Sequence, residues 1–483
     1  MQKKILIGTS LLFILALLLP ILLLAAMDTV VPAQYGESFL AGLGLKYDLL
    51  KSETEPKIVI IGGSSTAFGI DSALMEEHLP YKVVNFGLYA TLGTKLMLDL
   101  SEDCIREGDI VVIAPELDKQ TLSLYFNAQS TWQAAESDRT ILTGIDFDNA
   151  GDMLGGYWDY IAQKIGHHRQ GIAAAQGVYS LSALDEHGDI DYPKESNTML
   201  LGYDPNMIVD LTPELIDEAF IDYLNKYAEN VQKKGAVCCF SFPPTNASAL
   251  AEGTDSEKIL DFFMYTAEKL HFEVISDINH CIMDEGYFYD TNFHLNNTGT
   301  TAHTILLIED LRRLIGDTTP LTLEIPAPPE KEIVSAESPA DQTDETDWTA
   351  FYTYEELAAG YMITGVTDEG KTADVLKTPA SYDGKAVIAV GEGAFAGCKA
   401  KEIHIGQSVV QLYNRLFDGC ANLERIYLYA EKAGNIAAGD GLFDGAPEEA
   451  GLYMPLEAYS SFVSDYFWTK FAARMNLTEE ADA

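Results

Sequence analysis

Five short apolar runs separated by helical stretches constrain this chain more than any other feature. Residues 57–63, 82–87, 109–116, 236–244 and 273–277 form the runs, and stretches such as 94–106 and 213–234 between them read as helices. Continuous apolar runs mark strands buried on both faces, and strands that alternate with helices pair in parallel. The expectation is a three-layer α/β domain over residues 56–317, built on a flavodoxin-like parallel sheet. In the fourth run Cys238 and Cys239 are adjacent, so they point to opposite faces. Residues 117–210 are polar and aromatic without a strong strand. They read as an insertion over the carboxyl edge of the sheet, a candidate lid.

The first run ends abruptly. Ile58-Val-Ile-Ile-Gly-Gly-Ser-Ser-Thr-Ala-Phe-Gly-Ile-Asp71 passes from four β-branched residues into glycines and serines. Such a turn can present a hydroxyl, from Ser64 or Ser65, at the edge where ligands of open α/β sheets collect. Far downstream, Asp290-Thr-Asn-Phe-His294-Leu precedes a helix expected over residues 299–314. A serine on an early turn, with an aspartate and a histidine on a late one, makes a candidate acyl-transfer site. The third run ends Ile113-Ala-Pro-Glu116-Leu-Asp118. A carboxylate beside a developing negative charge opposes it, so Glu116 reads as a surface glutamate or as a contact for a hydroxyl or cationic group. Phe242-Pro-Pro-Thr-Asn246 lies on the same edge and reads as a pocket wall or a tight turn.

Gly63-Ser-Ser65-Thr-Ala-Phe-Gly69 resembles block I of the SGNH (GDSL-like) hydrolase superfamily. The Gly-Ser-Ser form is common among membrane-anchored relatives that assist D-alanylation of teichoic acids or O-acetylate polysaccharides. Alignment on the glycine four residues after the nucleophile selects Ser65 over Ser64. The resemblance implies that Gly87, in Val84-Asn-Phe-Gly87, donates its N–H to the oxyanion, with Asn85 as an extra donor. It implies that His294 takes the Ser65 proton and that Asp290 fixes the imidazole. The chain departs from the family twice. The usual Asp-x-x-His has one further residue here, with Thr291 at the usual acidic position, and Glu116 stands where Gly-x-Asn-Asp supplies an asparagine donor.

Residues 318–347 change character. Pro320, Pro326, Pro328, Pro329 and Pro339 punctuate a segment rich in Glu, Asp, Ser and Thr, which reads as an extended acidic linker. After it, Ala394-Phe-Ala-Gly-Cys398 recurs as Leu416-Phe-Asp-Gly-Cys420 and, degraded, as Leu442-Phe-Asp-Gly-Ala446, at spacings of 22 and 26 residues. A short strand follows each: Ile403-His-Ile405, Ile426-Tyr-Leu428 and Leu452-Tyr-Met454. A turn, a buried Phe, a small residue and a strand at that period make a solenoid unit. Cys398 and Cys420 are then small buried fillers. The unit resembles the BspA-type leucine-rich repeat of bacterial surface proteins, over roughly residues 352–468. The expected boundaries are 348–470 for this small leucine-rich-repeat domain and 471–483 for a tail.

At the other end, Met1-Gln-Lys-Lys4 precedes an almost wholly apolar run to Met27. A run longer than ~18 residues can span a bilayer, and the lysines place the N-terminus in the cytoplasm. Residues 1–27 are therefore expected to be a single-pass transmembrane anchor, residues 28–55 a juxtamembrane segment, and the rest extracellular at the cell membrane. The net charge of −43 excludes phosphate-driven nucleic-acid binding. No Cys-x-x-Cys or histidine spacing supports a metal, and no cofactor is expected. The resulting expectation is a serine esterase or O-acyltransferase acting on a cell-envelope polysaccharide or an acylated small molecule. The rival is a catalytically inactive surface binding or adhesion protein whose repeats contact a protein or glycan ligand.

Overall fold

The computed structural model describes residues 28–477 except 146–148, 171–176, 198, 200–201, 206, 330–345, 358, 440, 456–457, 459–460, 463–467, 469–470 and 472–473. The anchor expected over residues 1–27 and most of the acidic linker lie outside the described residues. Among those described, no helix is long and apolar enough to cross a membrane.

All five expected strands form. They are β1 (Lys57–Gly62), β2 (Lys82–Gly87), β3 (Ile110–Ile113), β4 (Val237–Phe240) and β5 (Glu273–Val274), and they pair wholly in parallel in the order β2-β1-β3-β4-β5. Alternate side chains divide between two apolar layers. Val59, Ile61, Val111, Ile113, Cys238 and Phe240 enter one core, while Ile58, Ile60, Ile110, Val112 and Cys239 enter the other. Helices cover both faces, so the chain is α/β with three layers. Because β1 lies between β2 and β3, its carboxyl end is flanked by a strand on either side and does not lie at the sheet's margin.

The expected boundary at residue 55 is corrected. Helix α1 (Gly42–Ser52) belongs to the α/β domain, because Phe39, Leu43, Tyr47 and Leu50 recur at helical spacing and are buried in the larger core. At the amino end of the sheet, Asp109 accepts from the Lys57 N–H at 3.0 Å, from Lys57 Nζ at 2.7 Å and from the Arg106 N–H at 2.9 Å. This wholly buried ion pair ties the starts of β1 and β3 together.

The insertion carries the helices Ala128–Ala134 and Ala150–Gln170 with several short turns. Its Asp189 reaches the start of the helix Ser72–His78, accepting from the Ser72 N–H at 2.6 Å and from Ser72 Oγ at 3.0 Å.

The repeats alternate strands between two largely parallel sheets. Lys385–Val390, Gln411–Leu412 and Ala437–Ala438 line one; Glu402–Ile405, Arg425–Leu428 and Gly451–Met454 line the other. Between them run the repeat phenylalanines. Phe395 stacks on Phe417 at 5.9 Å, and Phe417 on Phe443 at 5.6 Å. Cys398 and Cys420 are buried free thiols with their sulfurs 3.4 Å apart. Met475–Leu477 adds a further parallel strand against Gly451–Met454, so this module extends past residue 470.

Candidate active site

The turn after β1 is tight because nothing bulkier than glycine fits at its first position. A Cβ on Gly63 would lie 2.3 Å from Glu116 Oε2. The Glu116 carboxyl therefore rests directly on the turn. Its Oε1 accepts from the Ser65 N–H at 2.8 Å and from Ser64 Oγ at 3.3 Å. Ser65 lies in the first turn of helix α2 (Ser64–Gly69), wholly buried. Among the described residues, neither Ser65 Oγ nor Glu116 Oε2 has a hydrogen-bond partner.

Gly87 ends β2 against the same turn. A Cβ there would sit 2.4 Å from Thr66 Cβ and 2.8 Å from the Gly63 carbonyl oxygen. The Gly87 N–H donates to Asn85 Oδ1 at 3.1 Å. Asn85 Nδ2 gives one hydrogen to the Thr66 carbonyl at 3.1 Å and the other to Asp189 Oδ1 at 2.9 Å. Both amide hydrogens of Asn85 are thus engaged inside the domain, which leaves it no donor for a ligand. Lys46 Nζ completes this buried network, donating to the Asn85 and Gly188 carbonyls at 2.9 and 2.5 Å. Burial pulls the Lys46 amine down to about 8 against the attraction of Asp189 and Asp185. Asn85→Ala removes two donors from buried acceptors, and is expected to lower unfolding free energy by about 1–3 kcal/mol in urea titration. A midpoint equal to that of the native chain would show that Asn85 is not structural.

The late loop is shaped by the residue that makes its spacing unusual. Thr291 Oγ1 accepts from the Phe293 and His294 N–H groups at 3.2 and 3.1 Å, and the Tyr289 N–H donates to the His294 carbonyl at 2.8 Å. The local side-chain turn folds the loop back on itself. Asp290 Oδ1 consequently lies 2.8 Å from His294 Nδ1, across the longer spacing. The Tyr179 hydroxyl donates to Asp290 Oδ2 at 2.6 Å and lies 3.2 Å from His294 Nδ1. Asn292 ties the loop to the insertion through the Asp204 and Met207 carbonyls at 2.8 and 2.9 Å. The Asn246 N–H donates to the Asn292 carbonyl at 3.0 Å, so the proline-rich turn supports this loop.

The serine turn and the histidine loop are brought together. The Phe68 ring, three residues after Ser65, stacks on the His294 imidazole at 4.0 Å with 7° between planes. Helix α3 (Asn297–Leu314) follows the loop and is bolted to the same turn. Thr300 Oγ1 donates to the Phe68 carbonyl at 2.7 Å, the His303 ring bonds the Gly69 carbonyl at 2.8 Å, and the Asp71 N–H donates to Thr304 Oγ1 at 3.0 Å. Among the described residues Ser65 Oγ has no hydrogen-bond partner, so the bond to His294 that acyl transfer requires is not made, and both residues are buried.

Burial pushes the Glu116 carboxyl above its ordinary value; the Ser65 N–H and the nearby His294 act in the opposite direction. Lys194 is drawn down to about 8 by burial, opposed by Asp290 and Asp189, and its Nζ lies 5.7 Å from the Phe68 ring centroid. Tyr179 and Lys194 are the site residues that sequence reasoning missed. Both belong to the insertion, where neither spacing nor composition marks them. Among the described residues, no group of three or more His, Cys, Asp or Glu side chains could hold a metal ion. No protein-family model matches the chain, and no curated protein matches it.

Proposed function

We propose that the α/β domain is a serine esterase or O-acyltransferase of the SGNH type, acting on an acylated cell-envelope glycan or a similar hydroxyl acceptor. The observation that carries this reading is the Phe68–His294 stack, which sets the imidazole against the serine turn while Asp290 engages its Nδ1. With Nδ1 turned to a carboxylate, Nε2 is the nitrogen left to take a proton. Ser65 Oγ adds to the acyl carbonyl as its proton passes to His294, and the leaving alkoxide takes that proton back. Water or a sugar hydroxyl then accepts the acyl group from Ser65. Since Ser65 is buried, substrate reaches it only after the surrounding side chains part. In this reading residues 1–27 anchor the protein, the rest is extracellular, and the BspA-like leucine-rich repeats hold a protein or glycan ligand near the site.

One observation favours a second reading, an inactive domain in a surface-binding protein. Glu116 occupies the Ser65 N–H, a group that an oxyanion would need. A fluorophosphonate probe separates the two. The full-length chain is expected to be labelled, Ser64→Ala to remain labelled, and Ser65→Ala to lose all labelling. An unlabelled native chain that turns over p-nitrophenyl acetate only at the blank rate would leave the binding reading standing.

A further inference from the structure

Two buried oxygens without partners among the described residues lie on adjacent groups of this site, Ser65 Oγ and Glu116 Oε2. The first is the proposed nucleophile. The second belongs to a carboxyl fixed by its other oxygen, since Oε1 holds the Ser65 N–H at 2.8 Å and the Ser64 hydroxyl at 3.3 Å. The carboxyl lies directly against the Gly63 backbone, where an added Cβ would sit 2.3 Å from Oε2. The donors expected from β2 are engaged elsewhere: Gly87 on Asn85, and Asn85 on Thr66 and Asp189. A carboxylate here would bury an acceptor-only oxygen with nothing to accept from, which is costly. An acid hydroxyl on Oε2 is a donor waiting for an acceptor.

We infer that Glu116 in its neutral form is an oxyanion donor of this site: Oε1 stays on the Ser65 N–H, and Oε2–H donates to the substrate oxygen that becomes negative as Ser65 Oγ adds to the acyl carbon. This rests on the reading of Ser65 as nucleophile. In the addition, Oγ forms the new bond to carbon, the carbonyl π pair moves onto oxygen, and the Ser65 proton passes to His294 Nε2. The Glu116 proton remains on Oε2 throughout. On collapse the oxygen pair re-forms the carbonyl, and the leaving alkoxide takes the proton from His294. The titratable groups acting on Glu116 are His294, which favours the carboxylate, and Asp118 on its own segment, which opposes it. Burial outweighs both, so the acid form persists above the ordinary 4.5 and is lost as pH rises through the raised value. Reaction then needs a neutral Glu116, so the rate is lost on the alkaline side as Glu116 ionises.

The test is the rate of fluorophosphonate labelling of the full-length chain from pH 5 to pH 9, in native, Glu116→Gln and Glu116→Ala forms, with circular dichroism to confirm folding. The amide of Glu116→Gln still accepts from the Ser65 N–H and still donates, and it cannot ionise. The native rate is expected to fall along a one-proton alkaline limb. Glu116→Gln is expected to keep most of the rate and lose that limb, and Glu116→Ala to lose about 10²–10³-fold at pH values below the limb, with the gap to the native rate closing along it. Ser65-dependent labelling with the same profile in all three forms would overturn the inference and leave the nucleophile reading intact. A folded Glu116→Gln form as slow as Glu116→Ala would overturn it too, because the carboxylate itself would then be required. Absence of Ser65 labelling in any form at any pH would overturn both readings.

Discussion

His294→Ala is expected to lower the rate of Ser65 labelling by about 10⁴–10⁶-fold, the scale on which removal of the base disables a serine nucleophile. The expected size follows from how little else the substitution disturbs. The loop around His294 is held by backbone and by Thr291, through the bonds from the Phe293 and His294 N–H groups and from Tyr289 to the His294 carbonyl. Those bonds survive loss of the imidazole. What disappears is the proton acceptor, together with one face of the Phe68 stack. The vacated space is imidazole-shaped, so added imidazole is expected to restore part of the rate in His294→Ala and none in Ser65→Ala. Labelling kinetics with and without imidazole make the measurement. A His294→Ala rate within tenfold of the native rate would remove His294 from the mechanism.

At the opposite end of the sheet, Asp109→Ala is expected to cost about 3–5 kcal/mol of stability, because it strands a buried charge. Lys57 and Asp109 are each essentially without solvent contact, and the carboxylate also accepts the Lys57 and Arg106 N–H groups. Truncation leaves an ammonium and two backbone donors unsatisfied at once. The expected result is a large fall in the urea midpoint, while the labelling rate per folded molecule is retained. The double change Lys57→Met/Asp109→Leu removes the stranded ammonium and is expected to recover that share of the loss only, because the Lys57 and Arg106 N–H groups still lack their acceptor. A single Asp109→Ala change costing under about 1 kcal/mol would show that solvent reaches the pair.

The sheet was legible because its signal is local. Five apolar runs are long enough to mark buried strands without knowledge of their neighbours, and the opposite facing of Cys238 and Cys239 follows from strand geometry alone. Ser65, Asp290 and His294 stand out in the sequence for a related reason, as each sits in a short motif whose residue types acyl-transfer chemistry would restrict. Position within the site was not legible. Asn85 is a polar residue at the expected edge, yet contacts with Thr66 and with Asp189, 104 residues further on, turn its donors inward. Glu116 was visible as a departure, but nothing in Ile113-Ala-Pro-Glu116 says that its carboxyl lies on the Ser65 amide. Tyr179 and Lys194 reach the site from an insertion whose path only tertiary packing fixes. Helix α1 escaped for a simpler reason: its apolar spacing follows a hydrophobic N-terminal run and merges with it on the page.

The hydrogen bond from Thr300 to the Phe68 carbonyl joins residues 232 apart in the chain. During synthesis the serine turn leaves the ribosome early, while its histidine and the helix that bolts it down are among the last parts of the domain to arrive. Under the proposed mechanism a growing or truncated chain therefore carries its serine as an ordinary alcohol, and competence for acyl transfer waits until the final helix has docked.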